Sequence, residues 1–592
     1  MKRLIHTLLF LVLAISLKAQ VYNNEWINFT NKYYKFPIGK TGFYRLDSLT
    51  LATSGINVSS LNPKNFQLFI KGKEVPLFIF GESDNVLNDT DYVEFYAEKN
   101  DGRFDSALYY NISYLPNPYV SLFNDTIYAF LTWNSLTTNK RIIQETDTAT
   151  SSYTPAPYFY TEKIYTGKNE YNFVEEFVEN TSDPRYTQAE GYGYQLVDGA
   201  VFNTNISPAN IYTQTALPVQ VNINFSGSNN DVSIPGLYDH QIKAVIYDAT
   251  NTPVKLFDTL FRGYKYFKYN FTLQSNTLSA TSNIEISSLN TLFPSVDNRT
   301  SMHFIYVKYP QLPDVAGTPD YKLFVDDDAV FSKTYLRIGS VNTGTNGVVL
   351  FYDLTNSKRI PVTINIAGKL LVPNSGSQKI CYMAAESSVT RISKVVAVNQ
   401  TGFFVNHKTM DDSAFVIIVP QKFISEAISY GTYRQTALGG SHDVVISVME
   451  ELTDQFAFGI PKHPQAIRSF CSFLLDSLPT PPKNLFLLGK SVQHRSLTDA
   501  GAWAKALIPS MGIPASDNLL TANLKTSNYF IPEIPIGHLA AQTTTHIANY
   551  LAKVVQHETP LSGIVETDDW KKHVLHFAGG TDAPQQILFQ SF

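Results

Sequence analysis

Two cysteines and a handful of histidines are the residues of this chain that could build a covalent nucleophile. An imidazole that takes a thiol proton leaves a thiolate, the attacking group of acyl transfer. His442 and Cys471 stand in a suitable order. Cys471, however, falls mid-way along an amphipathic helical pattern, on its apolar stripe, and His442 precedes a strand pattern with no glycine after it. A reactive thiol needs an exposed, polar surrounding, so a core thiol and a loop histidine are expected here. Cys381 lies in a strand-like run, KICYMAA. An exported protein permits a disulfide, but two independent buried thiols are the expectation. No Cys/His spacing matches a zinc site.

Other constellations are weaker. Gly489-Lys490-Ser491 looks like the end of a phosphate-binding loop, but that loop needs a glycine where Asn484 stands. The acidic stretches 84–91 (DNVLNDTD) and 100–105 (NDGRFD) do not complete a twelve-residue calcium loop. Asx turns between strands account for them. Asp326-Asp327-Asp328 reads as a solvated turn. No Gly-x-Ser-x-Gly elbow anchors a serine hydrolase.

The elements that must position any chemistry divide the chain in two. In the last third, 414–419 (AFVIIV), 443–447 (DVVIS), 485–488 (LFLL) and 574–578 (VLHFA) are short apolar runs with little alternation. That pattern suits strands buried on both faces. Helical patterns separate them. Residues 463–478 put Ile467, Phe470, Cys471, Leu474 and Leu478 on one stripe, and residues 542–555 do the same with Ile547, Leu551 and Val554. Alternating strands and helices predict a parallel sheet covered by helices.

Four landmarks in this third resemble, in order, the gingipain family of clan CD cysteine peptidases and, within it, the PorU-type sortases of type IX secretion. They are DDSAFVIIVP at 411–420, the long stretch 433–475 with ELTDQFAFG and AIRSF, PPKNLFLLGKS at 481–491, and 513–558 with Ser516-Asp517, Pro532-Glu533 and an Ile536-Gly537-His538 turn. Lys490 stands where the family usually has Asp, and His538 where it usually has Arg. The run DDWKKHVLHFAGG at 568–580 resembles the strand opening the family's catalytic subdomain. Near the amino end, GFYRL, QLFIKGKEVP, DYVEFYAEKNDGRFDSALY and YAFLTW also recur in that family's order.

The resemblance implies a caspase-like α/β domain behind β domains, with a His base, a Cys nucleophile and a thioester intermediate. A sortase passes the acyl group to a surface glycolipid amine, and a protease passes it to water. The family's His-Gly turn and strand-end Cys are expected downstream of Phe592, so these 592 residues are expected to lack the dyad and to be inactive alone. The strand at 574–578 would then leave an open edge. Acidic loops of the family help to bind structural calcium, which nominates Asp517 and Glu533. A turn Asp and a solvated Glu are the ordinary alternative. Implied partners are secreted cargo with C-terminal signals, a glycolipid acceptor and other secretion components. The competing reading is a non-catalytic binding scaffold, towards which Lys490 and His538 lean.

Composition bounds these readings. The chain is 44% hydrophobic and 16% charged, hence globular rather than disordered. Its 35 Tyr and 39 Phe favour β domains of extracellular type. A net charge of −5 gives no reason to expect nucleic acid. Residues 1–19 read as a secretory signal peptide, with Lys2 and Arg3 before an apolar run too short to span a bilayer. An exported, soluble mature chain is expected. The fold class is therefore multidomain: a β domain at 20–133, one or two β-sandwiches at 134–398, and the first part of an α/β caspase-like domain at 412–592. Within 134–398, strands are expected at 219–225, 241–247, 283–287, 303–309, 347–353 and 359–366, and a loop or linker at 135–156.

Overall fold

The computed structural model describes residues 22–592 except 169, 173, 175–183, 197–198, 206–209, 231–237, 249, 290–297, 527, 560–572, 574–582 and 591–592. The expected signal peptide and the strand expected at 574–578 lie outside the described residues.

The C-terminal unit is built on four parallel strands: β1 (Phe415–Val419), β2 (Val444–Val448), β3 (Asn484–Leu488) and β4 (Ile536–Leu539). Their spatial order is β2-β1-β3-β4, with Phe415 in register with both Val444 and Asn484. All five residues of β1 are buried, as its unbroken apolar run requires. Val416 and Ile418 face one helical layer, α2 (Met449–Phe456) and α3 (Gln465–Ser477). Phe415, Ile417 and Val419 face the other, α1 (Ile424–Gln435) and a long helix, Thr544–Glu558. The sequence reading of three strands and two helices holds to within a few residues. β4 corrects it: the expected Ile536-Gly537-His538 turn is a strand, the outermost of the sheet among the described residues, with Leu487 opposite His538.

The first β domain is a sandwich. Tyr34–Ile38, Ile127–Trp133 and Phe66–Ile70 sit centrally in a five-stranded sheet, and Gly42–Asp47 and Tyr92–Ala97 in a four-stranded one. Phe36, Leu68 and Leu131 from the first sheet meet Leu46, Val93 and Phe95 from the second. The expected hairpin turns on Lys71 and Gly72, both with positive φ (48° and 70°), and pairs Ile70 with Lys73. That is the two-residue geometry whose twist suits flanking strands. Each sheet is completed by a short strand from far along the chain: Val396–Ala397 beside Tyr34–Ile38, and Thr390–Arg391 beside Gly42–Asp47. The domain is therefore not confined to residues 20–133.

Between these segments lie two hydrophobic cores that share one eleven-stranded sheet. A four-stranded sheet containing His240–Tyr247 and Asn283–Leu289 packs on one part of it, burying Val221, Ile223, Ile286 and Ile305. A three-stranded sheet containing Lys333–Ile338 and Ala367–Pro373 packs on the other, burying Leu336, Phe351, Leu370 and Cys381. The strand expected at 359–366 is two short pieces, Lys358–Arg359 and Thr363–Asn365. Pro361 lies between them and has no amide hydrogen for a ladder. The expected linker at 135–156 contributes Ile143–Gln144, parallel to Lys358–Arg359. Asp327 is not a solvated turn residue. It accepts from the amides of Ser375 and Gly376, the latter at 2.6 Å, and pairs with the fully buried Lys379.

The α/β unit and the first domain share a core. Leu108, Tyr109, Leu122 and Phe123 join Leu452, Phe470 and Leu487 in one cluster. His463 at the start of α3 meets Asp105 at 3.0 Å, both side chains wholly buried.

Candidate functional site at the carboxyl edge of the parallel sheet

In an open α/β sheet, ligands enter where the strand order reverses, outside the carboxyl ends of the strands. Here that place lies beyond Val419 and Leu488, between β1 and β3. The chain turns there through Pro420-Gln421 after β1 and Gly489-Lys490 after β3. Gly489 has φ +142°, and a side chain at this position would press on Ile508, Leu507 and Pro420 at 3.1–3.2 Å. The strand ends are tied to one another. Gly489 N–H donates to Leu539 O (2.9 Å), Lys490 N–H to Ala541 O (2.8 Å), and Leu507 N–H to Lys490 O (2.7 Å).

The polar residues of α2, from the sequence segment ELTDQF, are each spent on a neighbour. Glu450 accepts from Gln421 N–H (2.9 Å), closing the turn after β1. Glu451 meets His407 Nε2 at 3.2 Å and accepts from Val405 N–H. Gln455 donates to Val405 O (2.8 Å). Asp454 pairs with Lys35 of the first β domain at 2.5 Å. Burial pushes the Asp454 carboxyl up to about 6, against the pull of the Lys35 ammonium. A cavity of about 190 Å³ lies against Met449, Thr453, Asp454 and Leu507, with Lys35 and Tyr128 across it. The first β domain thus overhangs the carboxyl edge.

The nominated nucleophiles do not meet. Cys471 is fully buried on the α2/α3 side of the sheet, and burial pushes its thiol up to about 12. His442 packs on the Phe415 ring (5.2 Å), at the amino end of β2 and against a residue of the opposite face. The sheet itself stands between them. Cys381 is equally buried, in a different core, with its thiol well above the ordinary range. Both cysteines are free thiols, as expected.

Asp517 and Glu533 are also kept apart by their partners. Glu533 accepts from the amides of Leu524, Lys525 and Thr526 and from the Thr526 hydroxyl, at 2.9–3.0 Å. Those donors hold its carboxyl below the usual range despite partial burial. A carboxylate surrounded by N–H donors does not fit a calcium ion, which needs further oxygen acceptors around it. Asp517 accepts from His538 Nδ1 at 2.9 Å, while His538 Nε2 donates to Gly489 O at 2.5 Å. Two acceptors facing the two ring nitrogens favour the imidazolium. Burial opposes it, but Asp517 and the Gly489 carbonyl raise the His538 pKa. His538 thus bridges β4 to the end of β3, the place the sequence marked as a family departure. Among the described residues, no group of three or more His, Cys, Asp or Glu side chains could hold a metal ion.

Sequence pattern carries no sign of the Lys35–Asp454 pair or of Asp105–His463, whose members lie 419 and 358 residues apart. The only local hint was a run of acids and amides on a helix flanked by aromatic residues.

Comparison with known proteins fits this geometry. The family model for Peptidase family C25 matches residues 409–591. A crystal structure of dimeric latent PorU from Porphyromonas gingivalis aligns with a TM-score of 0.53 at 12% identity, covering 88% of this chain and 49% of that one. The chain therefore spans about half the length of that protein. A CBM36-1 domain of a multidomain xylanase, from the hindgut metagenome of Trinervitermes trinervoides, aligns over 25% of this chain and 96% of its own, with a TM-score of 0.15 at 10% identity. Comparison with curated proteins finds no match. Residues 409–591 thus match the peptidase family C25 model, behind β domains, in a chain whose fold is similar to about half of PorU.

Proposed function

We propose that this chain supplies the β domains and the first sheet of an exported gingipain-like cysteine peptidase. Its kind of reaction is that of a sortase, which removes C-terminal signals from secreted cargo. In that reaction a cysteine Sγ attacks the scissile carbonyl. The signal segment leaves as an amine carrying the proton that a histidine relays, and a thioester remains. A glycolipid amine then displaces the thiol. The observation that carries the reading is the β2-β1-β3-β4 parallel sheet within the C25 match. Cys381 and Cys471 are the chain's two cysteines, and both are buried with raised thiol pKa values. The reading therefore places the nucleophile outside these 592 residues.

The test is cargo processing by the full-length protein. Cys381→Ala and Cys471→Ala variants that remain folded are expected to release the C-terminal signal at the parental rate. Iodoacetamide is expected to block release without alkylating either residue. Loss of release in a folded Cys471→Ala variant would overturn the reading. A second reading, a non-catalytic scaffold that binds cargo, is favoured by one observation: the polar groups of α2 and β4 at the carboxyl edge are engaged internally. It predicts cargo capture without release.

A further inference from the structure

A large cleft lies away from the parallel sheet. It occupies about 1320 Å³ between the first β domain and the eleven-stranded sheet. That exceeds the ~300–1,000 Å³ typical of small-molecule sites, so it suits an extended occupant.

Its floor is a sheet face. Along Pro218–Gly227, Val219, Val221 and Ile223 point into the sandwich core, which leaves Gln220 and Asn222 on the cleft side. Asn222 is opposite Tyr306 on the next strand, and Glu162 lies on the strand beyond. Thr300–Gln311 is paired on both sides, by Pro218–Gly227 and by Phe159–Thr166. The central floor strand therefore has no free backbone edge onto which an extended peptide could add, while Phe159–Thr166 meets its outer neighbour at one pair, Tyr160 with Phe324.

The walls are aromatic and hydrogen-bonding. Tyr119 of the first domain and Tyr306 of the floor hold their rings parallel, 1° apart in plane and 6.5 Å between centroids. Tyr96 and Tyr382 meet at 4.8 Å. Tyr306 donates to Glu162 (3.1 Å), and Tyr96 to Glu98 (3.0 Å). Lys322 reaches Glu162 at 2.9 Å and Glu98 at 3.9 Å, linking floor to wall. Burial raises the Tyr96 and Tyr306 phenols above their ordinary range, so they remain O–H donors. The lining carries five carboxylates and five cationic side chains, and so selects neither a polyanion nor a polycation.

Flat aromatic faces, paired donors and acceptors at their edges and balanced charge suit one chemistry. A pyranose presents C–H faces for an aromatic ring and a rim of hydroxyls that donate and accept at once. We propose that this cleft binds a neutral oligosaccharide chain, lying across Tyr306 and Tyr119 with its hydroxyls on Glu162, Gln220 and Asn222. This site is separate from the carboxyl edge and goes beyond the peptidase reading.

The test is calorimetric titration of the whole chain with hexasaccharides of glucan, mannan and xylan, with polygalacturonate and with a casein digest. At least one neutral hexasaccharide is expected to bind. Tyr306→Ala is expected to weaken it about tenfold, the loss of one stacked ring. Gln220→Ala with Asn222→Ala, surface changes that spare the core, are expected to weaken it without altering the thermal melt. Binding of no neutral sugar would overturn the proposal. So would binding of polygalacturonate or casein peptides alone, or sugar binding untouched by both variants.

Discussion

The carboxyl edge of the parallel sheet and the tyrosine-lined cleft are both polar hollows beside the first β domain, but they use their polar groups differently. At the edge, the acids and amide of α2 and His538 of β4 are turned onto backbone atoms and neighbouring side chains, and the cavity beside Glu450 and Asp454 is only about 190 Å³. In the cleft, side chains of a paired sheet face a volume of about 1320 Å³. Polar groups with partners inside the protein hold elements in place. In the cleft Tyr306, Glu162 and Lys322 also pair with one another, but they border an open volume together with Gln220 and Asn222. The first region is organised to fix geometry, and the second to receive a ligand.

The sharpest way to break this contrast is Lys35→Ala. It leaves Asp454 buried without its cation, and losing one member of a buried pair costs about 3–5 kcal/mol. A large fall in the urea midpoint is expected; a neutral result would show that the edge is not held by this pair. Next is Glu533→Ala, which strips the acceptor from three amides, at about 1–3 kcal/mol. The native carboxyl titrates below its unfolded value, so its contribution is present above the unfolded pKa and fades as pH falls through the folded one. The mutational difference should shrink in acid. EDTA is expected to leave the parental melting temperature unchanged, and a drop on chelation would restore a metal at this loop.

His538→Gln is expected to cost less, on the order of 1–2 kcal/mol for a charged hydrogen bond. Here the folded pKa lies above the unfolded one. The stabilisation is therefore full below the unfolded pKa and is lost as pH rises through the folded value. The gap between parent and variant melts should close with rising pH, opposite in sign to Glu533. The smallest effect belongs to Cys471→Ala, roughly 1 kcal/mol for a trimmed buried group.

How much of this was legible in the sequence varies by element. β1 and β3 were readable because burial on both faces demands an unbroken apolar run. β4 was not: Gly537 and His538 interrupt its pattern, and the outermost strand among the described residues, with His538 bonded at both ring nitrogens, does not need a full apolar run. The burial of Cys471 followed from its place on a helical stripe. The strands Thr390–Arg391 and Val396–Ala397 were invisible because two residues carry no periodicity, and their partners lie more than three hundred positions away. The floor of the cleft was hidden for a related reason. Alternation in Pro218–Gly227 shows that Gln220 and Asn222 face away from the core, but not which wall stands opposite them.

Those two late strands also set an order of events. A chain made or delivered from its amino end presents Tyr34–Ile38 and Gly42–Asp47 long before residues 390–397 arrive to cover them. At synthesis rates of roughly 5–20 residues per second, that interval lasts about 20–70 s. Throughout it the first sandwich has two unclosed borders able to pair with another chain. Closure of the domain therefore waits until everything between has emerged.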